Sequence, residues 1–179
     1  MGASKPHIGG QGDSMQEQVP LSKAWERKYP ELIVMVTTIS AEGRPNIITL
    51  GWAMPTSGDP PMCAISIGIG RYSHDLLQQV PEFVLAFPAE DMEEAMLFCG
   101  SQSGRRVDKF KETGLTALPA TRVRPPLIGE AVTNLECEVV ATLLTGDHTI
   151  FVGEIVAAHH SERQVRRLYN LGQTGFGPL

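Results

Sequence analysis

The stretch IVMVTTISAEGRPNIITLGW, residues 33–52, decides how this chain is read. Its first part is rich in β-branched side chains, Ile33, Val34, Val36, Thr37, Thr38 and Ile39, which disfavour a helix and predict a largely buried strand from Leu32 to Ser40. Ala41-Glu42-Gly43-Arg44 then makes a turn, and Asn46 to Trp52 returns as a second strand. Four residues are too few for the crossover that parallel strands require, so the two strands pair antiparallel.

The same reasoning extends outward along the chain. Met54 to Pro61 contains Pro55, Pro60 and Pro61 with Ser57, Gly58 and Asp59, and is expected as a loop before a third strand, Met62 to Ile67. Ser73 is expected to cap a short helix from His74 to Val80 that Pro81 stops. Phe83 to Phe87 predicts a fourth strand, Asp91 to Phe98 a helix, and Gly104 to Thr113 a short polar helix ending at Gly114. A second hairpin joins Leu135–Leu144 to Thr149–Ala158 through Gly146-Asp147. Arg163 to Leu171 is expected as a last helix and Gly172 to Leu179 as a tail, while residues 1–18, polar and without periodicity, are expected as a flexible arm ahead of one domain over 19–179. Strands joined by hairpins and short loops, with a few short helices between, predict a mainly β fold, an antiparallel β-barrel with short peripheral helices.

Composition bounds the function. A chain of 179 residues fits one domain, since domains run about 100–200 residues. Its net charge of -5 has the wrong sign for a generic polyanion binder, so nucleic acid is not an expected partner. Cys63, Cys99 and Cys137 are an odd number with no paired spacing, which argues against a disulfide framework or a zinc site and for a reduced, cytoplasmic protein. No apolar run approaches the roughly 18 residues of a membrane helix, and no membrane association is expected.

Several positions carry possible chemistry. Gly68-Ile69-Gly70-Arg71-Tyr72-Ser73 follows a strand and opens a helix, imitating a dinucleotide fingerprint; Ser73 stands where the third glycine belongs, and the preceding antiparallel hairpin is the wrong setting. Two readings stay open for it: a phosphate cradle built from glycine backbone, a helix start and Arg71, or a tight turn with a simple cap. Ser101, Ser103, Arg105 and Lys109 form either a solvated face or a second phosphate grip. In Thr145-Gly146-Asp147-His148 the turn explains Gly and Asp but not His148, which is either a hydrogen-bonding group at a loop mouth or an exposed strand-end histidine. Trp52 and Tyr72 would flank a flat cofactor or pack in the core, and Cys63 and Cys137 sit inside apolar strands as inert core residues. Motifs for metal hydrolases, serine hydrolases and P-loop nucleotidases are missing from the sequence.

From about Pro30 to Ala158 the chain resembles the flavin reductase-like family, which includes flavoredoxins and ferric reductases. The ordered set that carries the resemblance is Thr37-Thr38 and Gly43 before Asn46-Ile47-Ile48-Thr49, then Asp59-Pro60-Pro61, Arg71-Tyr72-Ser73-His74, Asp108-Lys109-Phe110, and Thr145-Gly146-Asp147-His148 leading to Phe151-Val152-Gly153-Glu154. The resemblance implies an antiparallel Greek-key split barrel of the FMN-binding type. It implies that Asn46, Thr49 and Leu50 face the flavin ring or ribityl chain and that Ser66 and Ile67 line the ring. Arg71, Ser73, His74, Ser103 and Lys109 would hold the phosphate, and His148 would position the second substrate. It also implies a homodimer and an oxidoreductase that passes electrons from NADH or NADPH through FMN to a small-molecule or protein acceptor. A flavoredoxin-type carrier without its own nicotinamide site, or a non-catalytic flavin-binding regulatory barrel, would share these residues.

Overall fold

The protein is described here by a computed structural model covering residues 16–179, so the expected arm over residues 1–18 lies almost wholly outside the described residues. A short strand β1 (Glu31–Leu32) leads into β2 (Val34–Ile39), which pairs antiparallel with β3 (Pro45–Leu50) in the register Val34↔Leu50 to Ile39↔Pro45. Gly43 turns the hairpin at φ 91°, a left-handed conformation that glycine adopts without strain. The chain continues through β4 (Ala53–Gly58), β5 (Pro61–Gly68), α1 (Tyr72–Gln79), β6 (Glu82–Phe87), α2 (Glu93–Ser101) and α3 (Lys109–Thr113). Two short strands, β7 (Ala117–Leu118) and β8 (Leu127–Ile128), precede the long hairpin β9 (Thr133–Thr145) and β10 (His148–His160), and β11 (Tyr169–Asn170) and β12 (Phe176–Gly177) end the chain.

Seven strands make one antiparallel sheet in the order β3-β2-β6-β9-β10-β5-β4. The two edge strands, β3 and β4, are consecutive in the chain and joined by Gly51-Trp52, so the backbone crosses from one edge of the curled sheet to the other. That crossing, rather than a ladder of hydrogen bonds, completes a split barrel. Every residue of β2 is buried because its two faces meet two different cores. Val34 and Val36 join Ile65, Ile67, Phe83 and Phe151 in one, and Met35 joins Ile47, Ala86, Met96 and Phe110 in the other. A strand covered on both faces reads as a continuous apolar run, which is how 33–39 read.

The structure corrects four local expectations. Residues 53–58 are an edge strand, not loop; Pro55 is tolerated there because an edge needs no N–H donor on its open side, and the ladder slips between Pro55 and Ser57. Ser73 does not cap α1: the helix starts after Arg71 with no side-chain cap, and the Ser73 hydroxyl accepts a hydrogen bond from Asn46 instead. Only Lys109–Thr113 of the polar stretch is helical, capped by Asp108 and ended by Gly114 at φ 71°. Arg163 to Leu171 is extended rather than helical, and the expected tail adds β12. The spacing of Val165 and Leu168 imitates a helix face. Backbone bonds from Glu90 to Arg166 and from Leu168 to Pro88, with Arg166 on Glu90 and Arg163 on Asp91, hold the segment against residues 88–91. Strand β1 and the last two strands then meet in a three-stranded annex, β1-β11-β12, beside the barrel.

Candidate functional site

A cavity of about 880 Å³ runs along the corner where β3 turns into β4. Its floor is β3, its walls are β5 with the turn into α1 and the end of α2 with residues 101–106, and His148 and the annex residues Asn170 and Phe176 also line it. Among the residues expected at a site, Asn46, Thr49, Leu50, Ser66, Arg71, Ser73, Ser103, Lys109 and His148 all line it, as do Trp52, Tyr72, Ser101 and Arg105. The structure does not bring Ile67 and His74 there. Neighbours on a strand point to opposite faces, so Ser66 faces the cavity and Ile67 is fully buried in the barrel core. His74 lies on the barrel side of α1, where Nε2 is 2.9 Å from the Thr149 hydroxyl and the ring meets Phe151 edge-on at 5.5 Å.

Each buried polar group on the floor has a defined task. Asn46 donates to Ser73 Oγ at 2.8 Å, joining β3 to α1, and its Oδ1 is buried without a donor. Gly104 makes this possible, because a Cβ there would stand 1.9 Å from Asn46 Oδ1. Thr49 donates to the Met96 carbonyl at 2.6 Å, and a Cβ on Gly100 would already touch its side chain at 3.3 Å, so α2 packs directly on β3. Lys109 Nζ donates to the carbonyls of Ile47 and Cys99 at 2.7 and 2.6 Å. Burial lowers the Lys109 pKa; the adjoining Cys99 thiol opposes that shift and Arg71 adds to it. Burial also pushes Cys99 up to about 11, so it stays a thiol. Cys63 and Cys137 are buried in the barrel with their sulfurs 3.7 Å apart.

The electrostatics run against the sign of the chain. Lys28, Arg71, Arg105, Arg106 and Lys109 line the cavity, and among the described residues Glu31 is the one carboxylate that does. A protein of net charge -5 has thus gathered five cations around one cleft, which focuses a positive potential on any anion entering it. Arg105 is tied to Asp75 and lies over the Tyr72 ring at 4.9 Å, whereas the side chains of Arg71 and Arg106 have no hydrogen bond or ion pair among the described residues. Next to Arg71, with which it flanks Gly68, His148 Nδ1 donates to the Asp147 carboxylate at 2.7 Å, which lowers the Asp147 pKa and fixes the imidazole 4.8 Å from the Trp52 ring. The bond to Asp147 uses Nδ1, and Nε2 lies over Gly68 on the cavity lining.

Sequence reasoning missed Arg106, Glu31, Lys28, Asn170 and Phe176. Arg106 sits in a stretch read as helix, and Phe176 in one read as tail. Glu31 and Lys28 precede the strand that fixed the fold and carry no motif.

The donors present fit a phosphorylated, flat, largely apolar cofactor. Unpartnered arginines and serine hydroxyls suit a phosphate, and the orphaned Asn46 Oδ1 and the faces of Leu50 and Trp52 suit a polar-edged ring system. Comparison with known proteins points the same way. Residues 26–177 match the family described as "Flavin reductase like domain". An FMN-binding protein of Thermus thermophilus superposes with a TM-score of 0.79 at 27% identity, over 92% of this chain and 94% of that one. Flavoredoxin of Desulfovibrio vulgaris (Miyazaki F) gives 0.77 at 25%, over 84% and 87% of the two chains. An NADH-dependent FAD reductase of Streptomyces globisporus is 29% identical over 73% of this chain and 70% of its own. With a family match over most of its length and the fold to go with it, the chain belongs to the flavin reductase-like family, a family of flavin oxidoreductases.

Proposed function

We propose that this protein is an NAD(P)H-dependent flavin oxidoreductase that binds FMN in the cavity and hands electrons to a small-molecule or protein acceptor. The observation that carries the reading is the pair of unpartnered arginines, Arg71 and Arg106, lining one cleft with Ser73, Ser101 and Ser103 and with the rings of Trp52 and Tyr72. Free cations and hydroxyls for a phosphate and flat faces for a ring, in one cleft, are what a mononucleotide flavin needs. When bound, the flavin supplies the redox chemistry, taking a hydride equivalent from the donor and releasing electrons to the acceptor. The chain's own residues bind and orient. Arg71, Arg106 and Ser103 hold the phosphate, Asn46 and Thr49 fix the floor, and Ser66 lines the ring from β5. Lys109 secures β3 to α2 from below and adds positive charge. The three buried free thiols agree with a protein kept in a reducing compartment such as the cytoplasm. Exposed Met54, Val140, Leu143 and Leu144 agree with a homodimer.

Anaerobic mixing with NADH or NADPH tests the reading. Fast bleaching of the flavin band is expected; bleaching by dithionite or a partner reductase alone would make the protein a carrier, as flavoredoxin's similarity allows.

His148 should separate binding from turnover. Asp147 orients it beside Trp52, and its task is to position the second substrate, while its neighbour Arg71 takes the phosphate. His148→Ala is expected to leave flavin affinity within about threefold while slowing reduction by nicotinamide nucleotide at least about tenfold, or ~1.4 kcal/mol of transition-state stabilisation. Loss of flavin from the variant would make His148 a cofactor or folding residue, and unchanged reduction would leave it a strand-end histidine.

A further inference from the structure

The mouth of the cavity carries a second cluster that flavin binding leaves unexplained. Trp25 is 63% exposed and Trp52 43%, and their rings lie 6.1 Å apart, with Trp52 in turn 4.8 Å from His148. Three rings thus form a track from solvent to the cavity. The ammonium of Lys28 lies over it, 5.7 Å from the Trp25 ring, 5.6 Å from Trp52 and 5.9 Å from Tyr29. Its single hydrogen bond among the described residues goes to Glu31 Oε1 at 2.7 Å, so two of its three N–H groups have no acceptor. Lys28 and Glu31 themselves line the cavity.

A nucleotide presents a flat base, a ribose diol and phosphate. The mouth presents exposed indole faces, a carboxylate that can accept from hydroxyls, and an ammonium with donors to spare. We propose that Trp25, Lys28, Glu31 and Trp52 form the docking site for the dinucleotide electron donor, holding its distal half while its nicotinamide enters beside His148. Trp faces stack on a ring of the nucleotide, Lys28 takes a phosphate, and Glu31 accepts from a ribose hydroxyl. This rests on the reductase reading and adds to it the part of the molecule that admits the donor. It also accounts for the indole faces of Trp25 and Trp52 left in water, the first on a segment, residues 21–30, that contributes little to either core.

The chain has two tryptophans and both stand here, so tryptophan emission of the flavin-loaded protein reports on this site. NAD⁺ titration should quench it saturably. Lys28→Gln should weaken that binding at least about tenfold, with flavin affinity unchanged within about threefold. Trp25→Ala should raise KM for the reduced nucleotide by a similar factor, and Trp25→Phe, which keeps a ring, should restore most of it. Unchanged KM in both Lys28→Gln and Trp25→Ala, with flavin still bleached by NADH or NADPH, overturns the inference and leaves the reductase reading standing. Quenching that Lys28→Gln weakens, in a protein whose flavin neither nucleotide bleaches, supports the docking site and overturns the reductase reading. If Trp25→Ala shifts dimer dissociation and not KM, the aromatic track is a contact between two copies of the chain and the inference falls.

Discussion

Glu136→Ala is expected to destabilise the protein by about 3–5 kcal/mol, the cost of breaking a buried charge network by removing one partner. For a domain of this size that corresponds to a fall in Tm of roughly 6–20 °C. Glu136 stands in the middle of β9, opposite Val84 of β6, and is fully buried. One carboxylate oxygen accepts from Thr121 N, Thr121 Oγ1 and His159 Nε2, and the other from Arg122 N and Val123 N, all between 2.6 and 3.0 Å. The loop it holds packs Val123 and Leu127 onto Val84 and supplies the Pro126 carbonyl to Thr37. Truncation therefore strands three backbone N–H groups and loosens the cover over one face of the sheet. Burial alone would raise the carboxyl's pKa, but the hydrogen bonds together hold it well down, at about 2 against an ordinary 4.5. Because the folded value is the lower one, the stabilisation is fully present above pH 4.5 and is lost as pH falls from there towards 2. Urea unfolding of wild type and variant should thus show a large gap at pH 7 that narrows below pH 4.5. A gap under about 1 kcal/mol at pH 7 would mean that Val123 and Leu127 hold the loop without the carboxylate.

Glu136 also marks where the sequence stopped being legible. Glutamate in a β-branched strand reads as a solvent-facing position, and only a loop 13–15 residues upstream turns it inward. The two main hairpins were legible, because β2 is apolar on both faces and the β9–β10 hairpin has β-branched arms around a glycine turn, whereas the proline-bearing edge strand β4 read as loop. The chain ends were not. Val165 and Leu168 keep a helical interval, yet the energy that decides their conformation lies in pairing with residues 88–91, which local spacing cannot report. The site divides in the same manner. Arg71, read from the glycine turn before α1, and Ser66, implied by the family resemblance, do line the cavity, but grouping Ile67 with Ser66 overlooked the alternation of a strand. The cation cluster was only half visible, since its members come from residues 28, 71, 105, 106 and 109 and meet only after folding.

Arg71 and Lys109 look alike in such a cluster, and their variants should tell them apart. Arg71 is exposed at the cavity rim, caps α1 by its backbone alone, and its guanidinium has no hydrogen bond or ion pair among the described residues. Its removal disturbs nothing internal, so Arg71→Ala should unfold like wild type in the absence of flavin. FMN should bind about 10- to 150-fold more weakly, since a charge-assisted hydrogen bond contributes roughly 1.5–3 kcal/mol, while riboflavin, which lacks the phosphate, should bind as before. Lys109→Ala should behave differently. Its ammonium bridges the Ile47 carbonyl of β3 to the Cys99 carbonyl of α2, and both acceptors would be left buried and unpaired. That variant should lose stability without ligand and weaken riboflavin along with FMN, because the floor under the ring moves. Calorimetric titration with the two ligands decides the matter. Equal weakening of FMN and riboflavin in Arg71→Ala would remove Arg71 from the phosphate site, and selective loss of FMN in Lys109→Ala would show that the third ammonium proton, not the floor, is its main contribution.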